Sequence, residues 1–205
     1  KTVGDSYYMF GADYVWPQNM FKTAKQIIAE VGGKTLGEEY TPFGVKDFSP
    51  TIRKIADSGA RILVFALPGA DGITFINQAE DFGLLKKMTV AFLGFSETYL
   101  GAFGPGRGEG MYAGVPFVAS SDEPGVKDFV GRVRAANGPD TVVSFYVMTH
   151  YNSLIALKAG LEKSGAIDRE AAVDGLTGLA FDIPTGPAQI TVDDHHTSMN
   201  MYIAR

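Results

Sequence analysis

Near the C-terminus, His195-His196 follow Asp193-Asp194, four side chains of metal-binding type in a row. Neighbouring histidines on a strand point to opposite faces, and on a turn they are solvated, whereas a closed metal site needs three or four convergent ligands. The segment reads as a plain hairpin turn, and no metal is expected. His150 falls in a helical stretch as a surface or packing residue. Gly104-Pro-Gly-Arg-Gly-Glu-Gly110 has the glycine content of a phosphate loop. A phosphate loop, however, follows a strand and opens a helix, so that backbone N–H groups converge on the anion. Here a strand follows the loop, and Pro105 removes a donor. Gly94-Phe-Ser-Glu-Thr approaches the Gly-x-Ser-x-Gly elbow of a hydrolase but lacks its second glycine. With no cysteine in the chain, thiolate nucleophiles, disulfides and cysteine zinc sites are excluded together. No cofactor pattern is found.

What does concentrate is aromatic and small polar residues at the C-terminal ends of strand-like runs. Asp13-Tyr14-Val-Trp16 follows the first run, Leu67-Pro68-Gly69 the third, and Gly94-Phe-Ser96-Glu97 the fourth. Ligands of open α/β sheets bind at that edge. Tyr14 and Trp16 offer flat walls with one polar handle each, and Ser96 a hydroxyl that both donates and accepts. The alternative is that Tyr14 and Trp16 pack the sheet edge and that Asp13 and Glu97 cap helices.

The elements that would carry these loops alternate. Ser6–Phe10 reads as a strand, and Gly11–Tyr14 as the loop after it. Met20, Phe21, Ala24, Ile27, Ile28 and Val31 share a helical face that ends at Gly32-Gly33. Thr35–Tyr40 is a short strand. A second helix begins around Ser49, its expected cap, with Pro50 in the first turn. Arg61–Leu67 is a continuous apolar run, the pattern of a strand buried on both faces of a parallel sheet. A helix over about 71–82 and strands over 88–93 and 111–118 complete the alternation. This predicts an α/β fold with a doubly wound, mostly parallel, Rossmann-like sheet. Beyond Ser120 the pattern is helical: 125–136, 141–163 and 168–176. The middle helix carries Val147, Met148, Tyr151, Leu154, Ile155 and Leu161 close to one face, a stripe that needs a partner surface. Two strand-like pieces flank the 193–197 turn.

Composition narrows the function classes. A net charge of -5 with scattered basic residues argues against nucleic-acid binding. No apolar run of about 18 residues is present to cross a membrane. Lys1–Phe10 runs almost at once into a strand, and Met201–Arg205 stops in one, so the expectation is a piece of a longer chain from which a targeting peptide is missing.

Several segments occur in an order that resembles a known family: Gly11-Ala-Asp-Tyr-Val-Trp-Pro17, Asp47-Phe-Ser, Gln78-Ala79 with Gly83-Leu84, Gly110-Met-Tyr-Ala-Gly114, and Phe181-Asp-Ile-Pro-Thr-Gly-Pro187 followed by His195-His196. Together they resemble the C-terminal portion of type I periplasmic binding proteins of ABC transporters. The urea and short-chain-amide receptors and the cytoplasmic amide sensor are closest in pattern. The resemblance implies two Rossmann-like lobes that close over a ligand. Residues 1–118 would form most of the C-terminal lobe, 119–183 a helical segment of the N-terminal lobe, and 184–205 strands returning to the first. The rest of the N-terminal lobe would lie outside the chain. That missing lobe, or a self-associating partner, would cover the 141–163 helix.

The implied function is capture of urea, a short-chain amide or a similar polar solute for uptake, with no chemistry performed on it. Implied partners are the small-molecule ligand and the membrane permease subunits. The implied location is the periplasm, or the cytoplasm for the sensor alternative; a hydrolase is the distant alternative. The ligand-binding residues implied are Tyr14, Trp16, Pro68, Gly69, Ser96 and Glu97. Leu67-Pro68-Gly69 departs from the Val-Val-Gly or Tyr-Gly-Gly commoner in the family. In branched-chain amino-acid receptors a glutamate that meets the ligand ammonium aligns with Ser96. Its replacement argues against an α-amino acid held in that way, while Glu97 offers a carboxylate one residue later.

Overall fold

The computed structural model describes residues 3–205. Lys1 and Thr2, which the sequence places ahead of the first strand, lie outside the described residues. The chain falls into two compact units. The first comprises the chain up to Phe95, Tyr99–Gly114 and Ile203–Arg205, and the second comprises Ser96–Thr98 and Val115–Tyr202.

The first unit alternates β1 (Ser6–Ala12), α1 (Val15–Glu30), β2 (Lys34–Thr41), α2 (Ser49–Asp57), β3 (Ile62–Ala66), α3 (Gly69–Asp81), β4 (Thr89–Phe92) and the short α4 (Leu100–Phe103). The four strands form one parallel sheet in the order β2-β1-β3-β4, the expected doubly wound arrangement. Both faces are covered, as a parallel sheet requires. Phe10, Phe65 and Phe92 pack with Phe48, Ile52 and Ile55 of the α2 region and Phe75, Ile76 and Ala79 of α3. Met9, Val64 and Ala66 pack with Phe21 and Ile28 of α1.

Several local expectations shift. Gly11 is not a turn residue: β1 runs on to Ala12, and a methyl on Gly11 would stand 2.9 Å from the Ala66 carbonyl oxygen. The glycine serves close strand packing. Ser49 is the first helical residue of α2 rather than its cap. The Asp47 carboxylate, two residues earlier, accepts from the Ser49 N–H at 2.9 Å and from its hydroxyl, so the first helical N–H is satisfied from outside the cap position, which Phe48 fills. β5 is limited to Ala113–Val115, because Pro116 ends it. Ahead of it, Tyr112 exchanges two 2.8 Å backbone bonds with Val90 and Phe92 of β4.

In the second unit, α5 (Pro124–Asn137), α6 (Phe145–Ser164) and α7 (Arg169–Leu176) accompany an antiparallel sheet of β6 (Ala180–Ile183), β7 (Gly186–Ile190) and β8 (Thr197–Ser198). β9 (Tyr202–Ala204) pairs with β5. The partition changes unit at 114 and 202, where the sequence reading divides the chain at 118 and 183. Thus β6, β7 and β8 belong with the helices. The stripe expected on α6 is also not one face. Met148 is buried, Tyr151, Ile155 and Leu161 are half-buried, and Leu154 is 68% exposed. The buried row is Met148, Asn152, Ala156 and Gly160, and a methyl on Gly175 of α7 would fall 1.9 Å from the Gly160 carbonyl oxygen. Small residues let the two backbones meet, which an apolar pattern does not reveal.

The outer strand β2 is fastened on both sides. On one, Glu38 takes Lys25 of α1 at 2.5 Å and the Tyr40 hydroxyl at 2.5 Å. On the other, Glu39 pairs with Lys54 of α2 at 2.6 Å and accepts from the Tyr8 hydroxyl at 3.2 Å. Burial pushes the Tyr40 phenol up, and the bond to Glu38 adds to it. Burial alone would also raise Glu38, but the hydrogen bonds from Lys25 and Tyr40 outweigh it and hold the carboxyl below its ordinary value. A lowered carboxyl stabilises the fold above the ordinary carboxylate range, and that contribution is lost as pH falls through the folded value. Glu38→Gln should therefore cost up to about 1 kcal/mol at neutral pH. The gap from wild type should close below about pH 4 in urea midpoints measured against pH. A gap independent of pH would assign the loss to packing.

Candidate functional site

In the first unit, the loops after β1, β2, β3 and β4 all leave the carboxyl edge of the sheet, and they carry a group of rings. Tyr14 is the residue that precedes α1, in extended conformation and half-buried. Its ring lies 6.2 Å from that of Trp16, in the first turn of α1, and 5.6 Å from that of Phe43, in the loop after β2. Trp16 packs on the buried cluster beneath α1, so one part of it is core and another is available at the edge. Phe43 is 58% exposed. Gly94, after β4, adjoins Trp16: a methyl there would stand 3.1 Å from Trp16 Cη2. Its φ of 74° lies in the left-handed region that side chains disfavour.

The loop after β3 brings Pro68, half-buried, and Gly69, exposed, to the same edge. Pro68 precedes α3 with extended dihedrals, and Gly69 takes φ 69°. The Gly69 N–H, which the helix itself leaves without a partner, donates to the Tyr99 hydroxyl at 3.0 Å. Tyr99 is held by stacking on Phe92, with centroids 5.6 Å apart. The loops are also tied together. The buried Asp71 of α3 accepts from Gly44 N–H at 2.7 Å, which fixes the loop that carries Phe43. Asp13 accepts from Gln18 Nε2 at 3.0 Å, so it braces α1.

Ser96 and Glu97 lie in the second unit. Ser96 is fully buried, and its hydroxyl accepts from Thr98 Oγ1 at 3.1 Å. Glu97 accepts from the N–H groups of Ala119 and Phe145, at 3.2 and 3.3 Å. Of the six residues named from sequence, Tyr14, Trp16, Pro68 and Gly69 thus share one sheet edge of the first unit, and the other two belong to the second unit. Sequence reasoning missed Phe43, Tyr99 and Asp71. Phe43 was findable, since it follows the second predicted strand as Tyr14 follows the first. Tyr99 and Asp71 act through contacts 30 and 27 residues away, which no local pattern announces.

The other motifs are absorbed by structure. His195 takes a left-handed turn conformation with Nε2 3.1 Å from Thr177 Oγ1, and His196 is exposed beside Asp194 at 3.6 Å. Among the described residues no group of three or more His, Cys, Asp or Glu is placed to hold a metal ion. Arg107 pins the glycine-rich loop to α3 by donating to Asn77 O at 2.9 Å and Asp81 at 2.8 Å. The edge therefore presents flat aromatic faces and backbone groups, and its loops at 13–16, 42–44, 67–70 and 93–95 contain no lysine or arginine.

The sequence pattern of periplasmic binding proteins matches residues 1–205. The chain belongs to the periplasmic binding protein family. This periplasmic binding protein is 27% identical over 191 residues to Leu/Ile/Val-binding protein homolog 6 of Brucella melitensis biotype 1, covering 91% of this chain and 48% of the relative. It is 30% identical over 139 residues to homolog 3 of the same organism, covering 66% and 35%. The chain thus spans about half the length of the curated relatives it matches. A solved solute-binding protein of an ABC transporter from R. palustris, in complex with 4-hydroxybenzoate, superposes with a TM-score of 0.88 at 22% identity, over 97% of this chain and 55% of the other. The leucine-, isoleucine-, valine-, threonine- and alanine-binding protein of Brucella ovis, in a closed conformation, gives 0.87 at 18%, over 98% and 52%. These likenesses establish the fold. The named relatives and neighbours are solute-binding proteins, not enzymes. Among the described residues no helix is long and apolar enough to cross a membrane.

Gly94→Ala tests the edge geometry without any solute. The methyl presses on Trp16 and the backbone must keep a left-handed conformation, at about 1–2 kcal/mol. Because Trp16 is the single tryptophan, its emission should shift as thermal stability falls. Unchanged emission would mean that Gly94 and Trp16 do not pack.

Proposed function

We propose that the protein is the solute-capturing component of a bacterial ABC transporter, working in the periplasm with membrane permease subunits. A small solute with a planar face docks on the aromatic edge of the first unit. The observation that carries this is the Tyr14, Trp16 and Phe43 group, with centroids 5.6 and 6.2 Å apart around Tyr14, beside the Pro68-Gly69 loop. Such rings give rigid contact area at small entropic cost, and their polar tips supply orientation. Urea and short-chain amides suit such a site, because they need hydrogen bonds and flat walls and carry no charge. The structural neighbour that holds 4-hydroxybenzoate supports the same planar class. A branched-chain amino acid is the second reading, favoured by the names of the curated relatives.

Calorimetric titration of the full-length protein with urea, acetamide, leucine and 4-hydroxybenzoate separates these readings. For the solute that binds, Tyr14→Ala should weaken affinity by about 1–3 kcal/mol, roughly 5- to 150-fold, the scale of a lost aromatic contact and hydrogen bond. The thermal midpoint should barely change, because the ring is half-exposed. A collapse of stability with affinity retained would make Tyr14 a core residue and move the site. Turnover of the bound solute would overturn the capture reading.

A further inference from the structure

Glu97 is the middle residue of a three-residue segment that belongs to the second unit while the chain on either side of it belongs to the first. The chain belongs to the first unit at Phe95 and again at Tyr99, and only Ser96–Thr98 between them belong to the second. Both oxygens of the Glu97 carboxylate are engaged there. Oε1 accepts from the Ala119 N–H at 3.2 Å and Oε2 from the Phe145 N–H at 3.3 Å, groups 22 and 48 residues further on. Phe145 is the first residue of the 20-residue helix α6. The residue before it, Ser144, is buried and extended, and its side chain makes no capping hydrogen bond. The first N–H groups of a helix have no partner within it, and a carboxylate there complements the positive end of the helix dipole. A local cap meets that need in most helices. In α6 the first of these N–H groups, that of Phe145, is met from a remote segment by one oxygen of the Glu97 carboxylate, while the other oxygen holds Ala119.

We infer that Glu97 is the N-terminal clamp of α6. It is a positioning residue that holds Ser96–Thr98, the backbone at Ala119 and the start of α6 in one arrangement, and it does not contact the solute. The carboxylate faces two backbone donors, so a cationic group brought to it would compete with both. Glu97 also fixes the segment in which the Ser96 hydroxyl accepts from Thr98. The inference rests on the solute-binding reading only in what it denies, a ligand contact. The clamp itself is a statement about backbone amides.

Glu97→Gln removes the charge and leaves one acceptor for two donors. Backbone hydrogen exchange of the full-length protein, followed by NMR without any solute, should show protection at Ala119 and Phe145 falling roughly tenfold or more. Protection in α3 should be unchanged. Glu97→Asp keeps the charge but is one methylene shorter, and should restore protection at one of the two amides at most. Affinity for leucine, acetamide or 4-hydroxybenzoate, whichever binds, should change by a similar factor whether or not the solute carries an ammonium. Unchanged protection at both amides in Glu97→Gln would overturn the clamp, as would a loss of affinity confined to leucine. Should Glu97→Gln fail to fold, the Glu97→Asp exchange pattern decides alone, and full protection at both amides would be the contrary result. Failure of all three solutes to bind would sink the solute reading and leave the exchange result standing.

Discussion

Phe75 of α3 lies 4.8 Å, centroid to centroid, from both Phe10 of β1 and Phe65 of β3, and Phe65 lies 4.7 Å from Phe92 of β4. These rings are fully or almost fully buried, and they span three neighbouring strands. Replacing any one by alanine would forfeit about 3–5 kcal/mol, a large share of a domain's stability. They therefore fix the register of β1, β3 and β4 against α3, and with it the level at which each strand ends. Tyr14, Pro68-Gly69 and Gly94 stand where they do because the strands before them stop at that level. Tyr99, which orients the Gly69 N–H, is itself stacked on Phe92 of this cluster. The site edge is thus the rim of the aromatic core.

The second unit solves a different problem with different means. Its apolar cluster is smaller, built from Phe117, Val126, Phe129, Val130, Val143 and Met148. Its helices α6 and α7 meet closely at Gly160 and Gly175, where the two backbones approach and the Leu176 side chain packs on Gly160. Close backbone approach gives dispersion contact and shields polar groups, but it does little to fix where a helix begins. That task falls to hydrogen bonds. Asp168 caps α7 from within its own loop, accepting from Ala171 N–H at 2.9 Å, whereas α6 draws on Glu97.

How much of this was legible in the sequence depends on the range of the force involved. The run Arg61–Leu67 announced a central strand because burial on both faces demands uninterrupted apolarity, and β3 is that strand, buried at every position. Helix α1 was visible from the spacing of Phe21 and Ile28, which do face the core. Gly11 misled, because glycine permits a turn and a close strand contact equally, and only the Ala66 carbonyl opposite tells which. The α6 stripe misled because a helix that packs through Gly160 hides its buried face among small residues. Tyr14 and Trp16 were legible as strand-end aromatics and Glu97 as a strand-end carboxylate that could cap a helix, but Asp71 and the partners of Glu97 were not. A carboxylate satisfied by backbone 27, 22 or 48 residues away leaves no periodic trace.

This division also bears on how one fold carries different solutes. Neighbours of similar fold include one holding 4-hydroxybenzoate and one named for five aliphatic and hydroxylated amino acids. They superpose on this chain with TM-scores of 0.88 and 0.87 at 22% and 18% identity, so one fold is built from largely different side chains. Fold alone does not set function, so a difference in ligand between such proteins has to come from particular residues. Here the rim presents rings and peptide groups, while its acidic side chains are engaged within the protein: the exposed Asp13 by Gln18, and the buried Asp71 by Gly44. On the solute-capture reading proposed above, a rim built this way would meet a solute through ring faces and peptide groups rather than through a free charge.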